Sequence, residues 1–255
     1  MNAGSIDFSI ILPALLAGLL VLITHVPLGA QVLKRGIVFI DLAIAQIAAL
    51  GVIGAGLLDL DPQGWTVQLA AGVAAILGAL LLTWTEKRWP EVQEAQIGVL
   101  FVLAATGGLL LLAHNPHGGE HLRDLLSGQI LWVRYEQLVI PAIGTVVILA
   151  AMLRFGSRLG PLGFYLIFAL AVTASVQLVG VYLVFASLII PSLGVRNYAQ
   201  GKRVPLAYLI GLAGYAAGLV LSTLFDLPSG ALIVWSLTVL AMLVYAAGPK
   251  RVAIP

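Results

Sequence analysis

GAQVLKRGIVFIDLAIAQIAALG, residues 29–51, sets a Lys-Arg pair between two long apolar runs and places one carboxylate, Asp41, six residues beyond Arg35. A bilayer core about 30 Å thick asks for roughly twenty apolar residues of helix, and an ionisable side chain inside such a run costs about 2.5 kcal/mol or more unless partnered. The stretch therefore predicts two membrane helices joined by a short basic turn. Asp41 is the first functional candidate.

Composition extends this to the whole chain. Of 255 residues, 61% are hydrophobic and 9% charged, with a mean hydropathy of +1.07, which no soluble domain with a polar surface shows. The net charge of +2 sits in short loops, where it sets orientation and does not imply nucleic-acid binding. Without Cys there is no disulfide, thiolate metal site or thiol nucleophile. The first run is too long for a signal-peptide core and lacks a basic flank, so no cleavable leader is expected.

Read against charged breaks, the apolar runs are 8–33, 37–58, 65–84, 95–113, 138–153, 162–193, 206–225 and 231–247. The sixth is too long for one span. Gly180 in its middle predicts a helix to about Val179 and then a half-helix turning back. The expected fold is all-α: a polytopic membrane helical bundle of about eight transmembrane helices plus that half-helix, forming one transmembrane domain over 1–255. Loops at 34–36, 85–94, 154–161, 194–205 and the tail from Pro249 hold eleven of the thirteen Lys and Arg, and only Arg123 and Arg134 lie opposite. The first set is expected in the cytoplasm, with the N-terminus outside and the C-terminus cytoplasmic. Trp65 and Trp84, at the two ends of one run, fit interfacial aromatic belts. Gly51, Gly54, Gly56, Gly211, Gly214 and Gly218 read as sites of close helix contact.

Motifs exclude several chemistries. There is no GxxxxGK[ST], so the chain does not itself hydrolyse nucleotide, and no HExxH or Ser-His-Asp arrangement marks an intramembrane hydrolase.

Three segments resemble the permeases of the zinc, manganese and iron ABC importers: PLGAQVLKRGIVFIDLAIAQIAALG (27–51), AQIGVLFVLAATGGLLLL (95–112) and SVQLVGVYLVFASLIIPSLG (175–194). The resemblance implies a type II ABC importer-like permease in the bacterial cytoplasmic (inner) membrane, with no catalytic activity and no permanent cofactor. It implies a divalent transition metal (zinc, manganese or iron) as cargo. The implied partners are a cytoplasmic ABC ATPase, an extracytoplasmic metal-binding protein and a second permease copy, in a homodimer or a heterodimer. The family pattern places a His four residues after the Asp; here Ala45 stands there and Gln46 follows. An amide is a weak neutral ligand, and position i+5 is rotated about 100° further round the helix than i+4.

His25 offers itself as a compensating ligand. It lies eight residues before Leu33 and Asp41 seven after Lys34, so a hairpin turning at 33–36 would bring both to about 11–12 Å from the turn. The structural alternatives are a His25 bond to a backbone carbonyl beside Pro27, and an Asp41 that caps its helix or pairs with Arg35. Outside, His114, His117, Glu120 and His121 could wrap a divalent ion at the pore mouth, or form an ordinary polar loop.

The family's docking segment after the fifth span is reduced here to RFGSRLGP (154–161); coupling to the ATPase falls to Ser157–Gly160 within it, to 85–94 or to 194–205. The runner-up function is a permease for a metal chelate or other small solute, with Gln46 and Gln177 lining a hydrogen-bonding path. From another class come an intramembrane enzyme or a structural subunit.

Overall fold

The computed structural model describes residues 8–58, 65–113, 126–155 and 160–249. The apolar runs are helical, the sixth as two helices; several extend past their runs into flanking charged residues, whereas the second starts three residues later than its run. The helices are α1 (Phe8–Arg35), α2 (Ile40–Leu57), α3 (Trp65–Arg88), α4 (Gln93–Leu112) and α5 (Tyr135–Phe155), then α6 (Pro161–Val179), α7 (Val181–Gly194), α8 (Gln200–Phe225) and α9 (Ser229–Ala247). Short 3-10 turns at Pro90–Val92 and Ile130–Trp132 precede α4 and α5. Among the described residues, eight of the helices are long and apolar enough to cross a bilayer, and α7 is shorter. The protein is a multi-pass membrane protein.

The break at Gly180 is real and has a backbone cause. Its φ of 81° and ψ of 161° lie where only glycine is comfortable, and a Cβ there would meet the backbone of Gly128, itself at φ 62°. From this joint α7 returns across the molecule: Gly194 packs on Ala241, and Arg196 just beyond it donates to the Tyr245 hydroxyl at 3.1 Å. At about 1.5 Å per residue, its 14 residues span roughly 21 Å. The half-helix thus runs from the Gly128 end to the end holding most of the described Lys and Arg, here called the basic end.

Packing follows small residues more than chain order. Gly18 receives the ring of Tyr215, Gly29 the backbone of Leu188, Gly51 Ala70 and Ala74, Gly211 Leu22, Gly214 Leu237 and Gly218 Ile233. These approaches replace the hydrophobic force that is absent between helices in lipid. Gly54 and Gly56 face open space, against the expectation of contact. The outcome is two groups, α2 with α3 and α4, and α1 with α7, α8 and α9, bridged by α6. Trp65 and Trp84 are exposed at opposite ends of α3, as belts require.

A proline within α1 is also compensated. Pro27 has no N–H, which frees the carbonyl of Ile23 four residues earlier, and the Tyr208 hydroxyl of α8 donates to it at 3.0 Å.

Candidate functional site

Residues 36–39 form a non-helical turn, so α2 begins at Ile40 and Asp41 falls in its first turn. The turn is held from outside its own helix: the backbone N–H of Phe39 donates to Oε1 of Glu94 on α4 at 3.2 Å. One of the N–H groups left open at a helix start is thereby satisfied by a carboxylate 55 residues away. Beside it Arg35 lies 4.2 Å from the centre of the Phe164 ring and 3.7 Å from Glu86. Both members of that ion pair are partly exposed, so its contribution is small.

Asp41 is fully buried, and neither carboxylate oxygen has a hydrogen-bond partner among the described residues. It therefore makes neither of the contacts weighed for it, capping or pairing with Arg35. Charge at a helix N-terminus returns typically 0.3–1 kcal/mol, less than the roughly 2.5 kcal/mol or more that an unpartnered intramembrane carboxylate costs. A structural role does not balance its burial.

The hairpin expected to bring His25 opposite Asp41 does not form. α1 and α2 do not pack along one another, because the glycine faces of α1 are filled by α7 and α8, and that of α2 by α3. The depths differ as well. α1 continues through Arg35, so His25 lies about 15 Å from its end, whereas Asp41 is one residue into α2. His25 is itself fully buried, its Nδ1 2.9 Å from the Val21 carbonyl one turn back instead of a carbonyl beside Pro27. With Nδ1 donating there, Nε2 keeps a bare lone pair, and it has no partner among the described residues.

Gln46 is also buried, but five residues along an unbroken helix turn it about 140° from Asp41. It lies on the flank of Leu50 and Ile53, which meet Gly107 and Gly108 of α4. Ala45, fully buried, occupies the place one turn above Asp41. No group of three or more His, Cys, Asp or Glu that could hold a metal occurs among the described residues. His114, His117, Glu120 and His121 lie outside the described residues, as do Ser157, Arg158 and Leu159.

Two features were missed by reading the sequence as runs and loops. Glu86 and Glu94, taken as loop charges, belong to α3 and α4, and Glu86 Oε2, Glu94 Oε2 and Gln96 Oε1 are buried without partners among the described residues. A groove of about 1070 Å³ also opens between α3, α5 and α6 towards the other end, lined among others by Gln177, which the sequence offered as a path-lining residue, and by Gln68, Glu136 and Thr173, which it did not. Acidic residues immediately flanking an apolar run, and glutamines inside one, were the available signals.

Comparison with known proteins matches this architecture. The high-affinity zinc uptake system membrane protein ZnuB of Haemophilus influenzae is 23% identical over 244 residues, covering 88% of this chain and 92% of that protein. The manganese transport system membrane protein MntC of Halalkalibacterium halodurans is 27% identical over 269 residues, covering 96% and 90%. Among solved structures, PsaBC from Streptococcus pneumoniae in complex with Fab shares the fold with a TM-score of 0.78 at 21% identity, over 96% of this chain and 94% of that one. The model of the ABC 3 transport family matches residues 7–160 and 157–248, nearly the whole length. The chain belongs to the ABC 3 transport family, as a membrane-embedded permease component of an ABC transporter and not an enzyme.

Proposed function

We propose that this permease imports a divalent transition metal, zinc, manganese or iron, and that Asp41 lines the path. The carrying observation is the fully buried Asp41 carboxylate, whose two oxygens lack protein partners among the described residues. A cation in transit supplies the charge that the surroundings do not. His25 serves at a separate, deeper step through Nε2, and Gln46 supports α2 from its α4 side. The external His114, His117, Glu120 and His121 gather ions at the mouth.

The permease sits in the bacterial inner membrane as one domain, with the basic end in the cytoplasm and the N-terminus outside. An extracytoplasmic metal-binding protein delivers cargo and a cytoplasmic ATPase drives the cycle. A second copy, forming a homodimer, covers the groove of α3, α5 and α6, because Gln68, Thr173 and Gln177 are poorly placed against lipid. The size of that groove and its glutamines favour a chelated metal as the second reading.

The test is uptake of radioactive zinc, manganese and iron by cells carrying Asp41→Asn. Asparagine removes the charge at nearly constant volume, so abundance should hold or rise. Uptake per permease should fall by about tenfold or more, the loss that about 1.4 kcal/mol of cation stabilisation represents. An abundant, assembled Asp41→Asn permease with full uptake would defeat the proposal. Uptake of a metal chelate but of no free ion would favour the second reading.

A further inference from the structure

Resting on the reading of Asp41 as the carboxylate that lines the path, we infer that Glu86 and Glu94 are positioning residues for it. The link between α3 and α4 holds the α1–α2 turn at both of its ends, and so fixes where the first turn of α2 presents the Asp41 carboxylate.

The side chains of α2 do not cap that first turn. Further along, the helix is seated by close fits, Ile44 and Ile47 on Gly78 and Gly51 on Ala70. Ahead of them the N-cap residue, Phe39, makes no side-chain bond, and three residues on stands Leu42, which has no oxygen to return to the Phe39 N–H. Glu94 of α4 does that work: its Oε1 accepts the Phe39 N–H at 3.2 Å, with the Val38 N–H beside it.

The other end of the turn is Arg35, the last residue of α1. Its Nη1 lies 3.7 Å from Oε1 of Glu86 on α3, and its guanidinium lies 4.2 Å from the centre of the Phe164 ring on α6. The ion pair alone is weak at this exposure, but the ring on its second side restricts where the guanidinium can go. A turn tied at one point can pivot. Tied at two, it cannot.

The two carboxylates are themselves held at a set spacing. The Thr85 hydroxyl donates to Gln93 Oε1 at 3.2 Å and Gln93 Nε2 donates to the Leu82 carbonyl at 3.1 Å, so the end of α3 is bonded to the start of α4. Glu86 follows Thr85 directly, and Glu94 follows Gln93. Gln93 Nε2 also donates, at 3.0 Å, to the hydroxyl of Tyr165, which is fully buried next to Phe164. Link, turn and the start of α6 thus form one bonded body at the basic end, and Asp41 stands two residues past its last tie. A coordinating group needs such support, because one left about 1 Å too loose binds poorly.

The test is uptake of radioactive manganese and zinc, per permease in the membrane, by cells carrying the whole transporter with Glu86→Gln, Glu94→Gln or both. Each single change should raise the metal concentration for half-maximal uptake modestly. The pair should raise it beyond the product of the two by about twofold or more, because ties on one turn are coupled, while the rate at saturation falls by a smaller factor. Added to Asp41→Asn, the pair should cause no further loss, since it acts through that carboxylate. Should the double variant not accumulate, Arg35→Lys with Glu94→Asp keeps every charge, displaces both ties and carries the same comparison. A pair no worse than the product of the singles, a loss at saturation with an unchanged half-maximal concentration, or a further loss on top of Asp41→Asn overturns the inference. Full uptake by Asp41→Asn is a different failure, that of the reading beneath it, and is seen without touching either glutamate.

Discussion

In the half of the bundle built from α1, α7, α8 and α9, buried polar groups meet one another. Ser187 shares a 2.8 Å bond with Tyr215, Tyr208 fills the carbonyl freed by Pro27, and Ser222 donates to the Leu227 carbonyl at 2.6 Å. Only His25 Nε2 is left over there among the described residues. In the half built from α2, α3 and α4 the basic end holds Asp41, Glu86, Glu94 and Gln96 with five buried acceptor oxygens unmatched among the described residues. An unmatched buried acceptor typically costs about 1–3 kcal/mol, more when charged, so this concentration is not a neutral accident of packing. Membrane proteins depart from self-consistency where they work, so the contrast supports the proposal that the second half carries the main part of cargo handling, with His25 the candidate in the first.

The strongest way to break that contrast is Asp41→Asn, for which a transport loss of about tenfold or more at constant abundance is expected. Next comes the pairing of His25 with Asp41. Because α1 and α2 do not pack together, the transport losses of His25→Ala and Asp41→Asn should add on a logarithmic scale to within about 0.3–0.5 kcal/mol. A double variant no worse than Asp41→Asn alone would restore a single shared site.

These assignments were only partly legible in the sequence. Eight spans and the break at Gly180 could be read because lipid tolerates few alternatives to long apolar helices, and because glycine in mid-run marks a backbone that others cannot adopt. The ends of α1 and α3 moved outward, since Lys34, Arg35, Lys87 and Arg88 finish helices that apolar counting had stopped earlier, whereas α2 starts later than its run. The false step was adjacency: two runs joined by a short turn look like a hairpin. In lipid the partner is the helix whose bulk fits a given glycine, and Gly18 finds Tyr215, far along the chain. Asp41 stood out as a lone charge, but the bond from the Phe39 N–H to Glu94 at the start of its helix did not, because no local pattern announces a partner from another helix.

Within the scaffold half, Tyr208→Phe tests the other side of the comparison. It leaves the Ile23 carbonyl without its donor beside Pro27, and should lower stability by about 1–3 kcal/mol, read as earlier thermal unfolding in detergent. Uptake per surviving permease should be unchanged. A transport defect at normal stability would place α8 in the working half.

The smallest effect expected is that of Glu94→Gln. The glutamine keeps an oxygen where Oε1 accepts the Phe39 N–H, but the bond becomes neutral, and charge-assisted bonds are roughly twice as strong as neutral ones. A loss of about 0.5–1 kcal/mol is therefore expected, little of it visible in abundance. The first turn of α2 would be held less firmly, and Asp41 stands two residues beyond Phe39 in that turn. Transport at saturating metal should fall modestly, Glu94→Asp should recover less of it than its charge alone suggests because the shorter side chain misses the N–H, and Glu94→Ala should be worse than either. If all three variants transport like the parent, the cap is only an anchor for the chain, and cargo handling in this half narrows to Asp41.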